Sequence, residues 1–156
     1  MAKKKNFTNI SSVELHNLDT ILRGINFLAQ FSLTELEKLI TRLQKVSFKK
    51  GKTVVKEGEP GDSFYFISEG SVGVWVKKGL GKSLIRHLGS GEYFGEMALL
   101  TGGRRTATII VEEDAEFFTL SKDTFREILL ENPSLMDMIM RTSEKRKTEL
   151  MMERGD

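Results

Sequence analysis

Between Lys45 and Ser121 the apolar residues fall in short runs cut by glycine; on either side they recur at spacings of three and four. Val72, Val74 and Val76 alternate with Gly73, Trp75 and Lys77, the period of two that gives a strand one buried face. Strands are expected at 45–49, 53–56, 63–68, 71–77, 83–88, 106–111 and 115–120. Glu59-Pro60-Gly61-Asp62 reads as a turn, with Pro60 fixing φ and Gly61 supplying the positive φ of a type II turn. Gly79 to Gly81 reads as a hairpin loop. Many short strands with regular turn signals predict a closed or double-sheet β barrel.

The flanks are helical in texture. Ile21, Leu22, Ile25 and Leu28 form one stripe, and Leu33, Leu36, Leu39, Ile40 and Leu43 a second. Ser32 or Thr34 can cap the second helix, with Glu35 and Glu37 in its first turn. After Ser121, Phe125, Ile128 and Leu129 share a face. Asn132-Pro133 breaks that helix, because a residue before proline avoids the helical region. A last helix is expected from about Pro133 toward Met152. The expected organisation is a flexible basic N-terminus over 1–12 and a single domain over 13–152. That domain divides into a helical leader (13–44), a β barrel (45–121) and C-terminal helices (122–152).

Composition narrows the function. The 24 Lys and Arg residues barely exceed the 22 Asp and Glu residues, a formal charge of +2 that gives no reason to expect nucleic acid. Basic clusters at Lys3–Lys5 and Arg141–Lys147 read as a solvated tail and a solvated helix face. No apolar run is long enough to span a bilayer, and the start lacks the apolar core of a signal peptide. The absence of cysteine fits a reducing compartment, so a cytoplasmic protein is expected and the sequons at Asn6 and Asn9 are chance matches. A metal-dependent barrel enzyme would need clustered ligands, yet the two histidines, His16 and His87, lie in the leader and at the expected barrel rim. No Gly-x-Ser-x-Gly elbow occurs. Gly81-Lys82-Ser83 echoes the end of a P-loop, but Val76 stands where its first glycine belongs. No nucleophile and base pair is evident, so binding without catalysis is expected, with no metal and no cofactor.

The segment Phe94 to Thr108, FGEMALLTGGRRTAT, is neither strand nor simple loop. Met97 to Leu100 are enough for one helical turn. A short helix that starts at Gly95 exposes its first amide N–H groups with no side chain in the way, an arrangement that favours an anion. Arg105, expected at the rim, offers a guanidinium that can pair bidentately with phosphate oxygens, and Thr106 adds a hydroxyl. Glu96 would repel a phosphate unless it accepts hydrogen bonds from a group attached to it, such as a ribose hydroxyl. Taken singly, each residue has an ordinary structural explanation. Together they describe a nucleotide with phosphate and ribose folded close, the shape of a 3′,5′-cyclic phosphate.

FGEMALLTGGRRTAT resembles the phosphate-binding cassette of the cyclic-nucleotide-binding domain family: FGE, a small apolar helix with an alanine, then Arg followed by Ala or Thr. The likeness covers about residues 20–152. It includes Glu57-Gly58-Glu59-Pro60-Gly61-Asp62 before Phe64-Tyr65, and Ile67-Ser68-Glu69-Gly70 leading into Val72. It implies a mainly β fold with flanking helices: an eight-stranded jelly-roll-like β barrel, N-terminal helices and two C-terminal helices. It places the cassette at 94–106, with Gly95, Glu96, Met97 and Ala98 along the ribose-phosphate, Glu96 on the 2′-hydroxyl, Arg105 on the cyclic phosphate and Thr106 beside it. Phe94, Val74 and Arg86 are carried over to the surroundings of the base. Arg104 departs from kinase-regulatory members, and Arg-Arg-Thr is closer to cyclic-nucleotide-regulated channels. With no spanning segment and no room for a helix-turn-helix, a stand-alone domain is expected.

The last helix loses its apolar face after Arg141, yet Ile139, Thr142, Arg146 and Leu150 stay on one side. In this family the last helix closes over the base, which makes Arg146 and Leu150 lid candidates. The expected ligand is cAMP, with cGMP possible because Thr106 can serve either base. The expected output is an unidentified protein partner or self-association. The alternative is a barrel-type interaction module that no longer depends on nucleotide.

Overall fold

The computed structural model describes residues 32–95, 103–134, 136–137 and 141. Helix α1 spans Leu33–Arg42. Strands β1 (Gln44–Phe48), β2 (Thr53–Val55), β3 (Ser63–Lys78), β4 (Gly81–Gly89), β5 (Tyr93–Phe94) and β6 (Thr108–Ser121) follow, then helix α2 (Lys122–Leu130). The expected leader before residue 32 and the expected lid residues lie outside the described residues.

Ser32 is the N-cap of α1. Its hydroxyl accepts from the Glu35 N–H at 3.2 Å while the Glu35 carboxylate accepts from the Ser32 N–H at 2.9 Å, a reciprocal capping box. Ser121 caps α2 by one such bond, its hydroxyl accepting from the Thr124 N–H at 3.3 Å. Helix α2 stops at Leu130, and the chain is helical again at 133–134 and 136–137.

The fold is mainly β, an antiparallel jelly-roll-like sheet of order β1-β6-β3-β4, with β2 also on β6 and β5 also on β3. The strands expected at 63–68 and 71–77 form one strand, β3, and those at 106–111 and 115–120 form β6. Counting the two arms of each separately gives eight, the number the resemblance implies; the addition to the seven expected strands is β5, whose Phe94 pairs with Tyr65 and so belongs to a strand. The arms stay joined because the β3–β6 ladder is bulged rather than broken, with register shifts between Ile67 and Val72. Gly70 makes the bend. Its φ is +85°, and a Cβ there would stand 2.4 Å from the Asp114 carbonyl oxygen, so only glycine admits the crossing backbone.

The core has two compartments divided by the first arm of β3 and the last arm of β6. Phe64, Phe66, Phe118 and Leu120 face the helices and pack with Leu36, Leu39, Phe125 and Leu129. Tyr65, Ile67 and Phe117 face the barrel interior with Val46, Val72, Val74, Val76 and Ile109. Both faces are buried, which is why Phe64 to Ile67 and Phe117 to Leu120 are apolar almost without alternation. The Phe64 ring joins the strands to the helices, with centroids 5.1 Å from Phe125 and 5.5 Å from Tyr93.

Candidate functional site

Two segments far apart in sequence are laced together. The Gly58 N–H donates to the Arg105 carbonyl at 2.9 Å, and the Arg105 N–H donates to the Glu59 carbonyl at 2.7 Å. Arg104 Nη1 donates to the Gly58 carbonyl at 2.8 Å, and Pro60 pairs with Arg104 as an isolated bridge. The Glu57 N–H donates to Thr108 Oγ1 at 2.9 Å. This lacing corrects the expected turn. The chain reverses three residues earlier, where the Glu59 N–H reaches the Lys56 carbonyl, and the left-handed glycine is Gly58 (φ 90°) rather than Gly61. Pairing with Arg104 holds Pro60 extended, so no type II turn forms there.

The side chain of Arg105 is not at an open rim. The residue is 6% exposed. Gly95 packs against it: its φ is +99°, and a Cβ would lie 2.8 Å from Arg105 Nη1 and 2.8 Å from the Ser63 carbonyl oxygen. Glycine is therefore required both for conformation and for room. Arg105 Nη2 is 3.5 Å from Asp62 Oδ1, and the two side chains are 5% and 81% exposed. A buried cation thus faces a solvated carboxylate, a weaker setting than water for the charge. The Asp62 carbonyl accepts from the Lys122 N–H at 2.9 Å, which ties the turn to the start of α2.

Beside Arg105 opens a cavity of about 340 Å³ lined by Val54, Val55, Glu59, Pro60, Asp62, Tyr65 and Arg105. A small polar ligand fits such a volume. Phe94 lies behind this wall, 4% exposed, stacked on Tyr65 at 5.0 Å and edge-on to Phe117 at 5.7 Å. Val74 is in the barrel interior, opposite Arg86 in the β3–β4 register, and Arg86 is half-buried on β4. Thr106 is half-buried on the bend into β6. The structure therefore brings Gly95 and Arg105 into contact and sets Phe94, Val74 and Arg86 among the strands. Glu96, Met97, Ala98, Arg146 and Leu150 lie outside the described residues. In the sequence Glu59, Pro60 and Asp62 carry only a turn signal and a family motif, an acidic stretch directly before Phe64-Tyr65; their place in the cavity wall comes from the fold. Val54 and Val55 carry no signal beyond strand texture.

A jelly-roll-like sheet thus carries a buried arginine, packed against a left-handed glycine, beside a ligand-sized cavity. Residues 45–132, more than half of the chain, match the cyclic nucleotide-binding domain, and the chain belongs to that family. It is similar to a cAMP-dependent protein kinase regulatory subunit of Colletotrichum orbiculare, 32% identical over 111 residues, 71% of this chain and 28% of the relative. It is also similar to the human potassium/sodium hyperpolarization-activated cyclic nucleotide-gated channel 2, 38% identical over 97 residues, 62% of this chain and 10% of the channel. Among solved structures, the regulatory domain of Toxoplasma gondii PKA with cAMP superposes with a TM-score of 0.76 at 26% identity, over 84% of this chain and 50% of that one. The chain thus spans less than a third of the length of these curated relatives.

Proposed function

We propose that the chain is a cyclic-nucleotide sensor that binds cAMP, and cGMP less well, without chemistry. The observation that carries this reading is the Arg105 guanidinium, held under Gly95 beside the 340 Å³ cavity. A cyclic phosphate would bring a full negative charge to a cation that burial has partly stripped of water, where such pairing is strongest. The first amides of the segment after Gly95 would complete the anion site. Glu96 would accept from the ribose 2′-hydroxyl, Met97 and Ala98 would line the ribose-phosphate, and Thr106 would stand beside the phosphate. Phe94 and Val74 would support the wall, with Arg86 near the base.

Binding would then bias the C-terminal helices. The bond from Lys122 to the Asp62 carbonyl and the Phe64–Phe125 contact both link the site to α2. Closure of Arg146 and Leu150 over the base would shift a population between open and closed forms. A separate cytoplasmic protein, or a second copy of the chain, would read that shift.

Calorimetric titration with cAMP, then competition with cGMP, tests the proposal. Saturable binding of one nucleotide at one site per chain is the expected result. Absence of any binding would leave the barrel as an interaction module independent of nucleotide. Glu96→Ala should narrow the preference for cAMP over its 2′-deoxy analogue; an unchanged preference removes Glu96 from the sugar.

A further inference from the structure

The β3–β4 hairpin ends in a tip that the fold itself does not explain. Lys78 and Gly81 close the ladder, leaving Gly79 and Leu80 as the two turn residues. Gly79 has φ 61° and Leu80 is not left-handed, the pattern of a type II′ turn with glycine first. The second position of that turn needs no apolar side chain, yet Leu80 is fully exposed (111%). Of the three large apolar side chains exposed among the described residues, Leu80 and Leu84 both belong to this hairpin. Trp75 stands directly opposite Leu84 and points outward, between the buried Val74 and Val76. Around these apolar groups lie Lys77, Lys78 and Lys82, all exposed.

The basic ring has an internal cost. Lys77 and Lys82 are directly opposed across the ladder, where like charges repel. Lys82 Nζ rests 5.5 Å from the centre of the Trp75 ring, which holds one cation on the apolar patch. Glu57 is seated at the base of the tip, where its Oε1 accepts from the Lys77 backbone N–H at 2.8 Å, and the Glu112 carboxylate lies farther from the apex, over Gly73 beside Trp75 and Leu84. That bond fixes the hairpin's base to the turn beside it.

We propose that the tip, with Leu80 at its apex, Trp75 and Leu84 behind it and Lys77, Lys78 and Lys82 around it, docks on an anionic lipid surface. An apolar apex enters the headgroup boundary while cations meet phosphates and carboxylates, the two-signal arrangement that peripheral membrane binding requires. Tryptophan suits the same boundary, with an apolar ring and one N–H donor. An acidic protein would also meet the lysines, but it would need a pocket shaped to one protruding leucine, whereas a lipid surface takes an apolar apex without one, and this favours lipid.

Flotation of the whole chain with vesicles tests the assignment. Partition onto phosphatidylcholine vesicles containing phosphatidylserine, weakening as salt is raised and absent on phosphatidylcholine alone, is the expected result. Leu80→Asn, which suits the turn, should lower partition about tenfold. Lys77→Gln, Lys78→Gln and Lys82→Gln together should lower it on the order of a hundredfold. An unchanged melting transition in each variant reports an intact fold. The proposal fails if the wild-type chain ignores phosphatidylserine, if it binds neutral vesicles equally, or if both variants retain wild-type partition, which would move the contact to other basic residues such as Lys3 to Lys5.

Discussion

Two cation–carboxylate pairs on the barrel invite comparison, Arg105 with Asp62 and Lys49 with Asp114. In the first, the cation is 5% exposed and the carboxylate 81%; in the second, both are solvated, at 83% and 63%. Each pair has a left-handed glycine beside it. Gly95 makes room for the Arg105 side chain, whereas Gly70 makes room for the backbone of Asp114 and Ala115. The hollow near Asp114, about 220 Å³, sets Glu69, Asp114 and Glu116 against an exposed Lys49, whereas the cavity beside Arg105 sets Glu59 and Asp62 against a buried guanidinium, so lining charge alone favours an anion at neither. Burial on the cationic side is what turns an ion pair into a candidate binding site. With both partners in water, the pair has little to offer a ligand and contributes little to the fold.

The sharpest break of this comparison is Arg105→Ala against Lys49→Ala. The first should cost roughly 2–5 kcal/mol of cyclic-nucleotide binding, on the order of 30-fold or more. The second should leave both affinity and stability within about 0.5 kcal/mol of wild type. Calorimetry on the two variants checks both; equal losses would mean that burial does not distinguish the pairs.

Gly70→Ala and Gly95→Ala separate fold from site. At Gly70 the Cβ meets backbone that cannot swing away, and we expect a loss of about 2–4 kcal/mol of stability in urea. At Gly95 one of the two close atoms is the end of the Arg105 side chain, which can yield. There the main effect should be on affinity, about tenfold, because the guanidinium is pushed aside. Gly91→Ala is the control, with φ +87° and open space, so it carries the conformational penalty alone.

The smallest effect should come from Asp114. The Lys50 backbone N–H, at 2.8 Å, holds its carboxyl below the usual range, with a lesser contribution from the charge of Lys49. A depressed folded pKa stabilises the protein above the unfolded value and loses that contribution as pH falls through the folded one. Asp114→Asn should therefore flatten the acid side of a plot of urea midpoint against pH, below about pH 4, and leave neutral pH almost unchanged. An equal fall in midpoint at every pH would assign Asp114 a packing role instead.

Much of this was legible along the chain. The alternation of Val72, Val74 and Val76, a cap at Ser32 or Thr34 and the break at Asn132-Pro133 are local patterns with local causes. Likewise, Gly95 and Arg105 could be nominated together because they share one segment. The merging of expected strands into β3 and β6 was not legible, since a bulge at Gly70 and a chain break at Gly70 look alike in a one-dimensional pattern. Nor was the placement of Gly61, whose turn was pre-empted by pairing of Pro60 with Arg104.

By itself, then, the sequence determined most of the elements, the neighbourhood of the first cap and the segment that carries the candidate anion site, because hydrophobic period and turn chemistry act over a few residues. Only the tertiary structure decided that Arg105 is buried, that Asp62 is its counter-ion and that Val54, Val55 and Tyr65 wall the cavity. Those facts depend on antiparallel pairing between distant segments, which fixes what covers each side chain, and burial is what sets the strength of a charge.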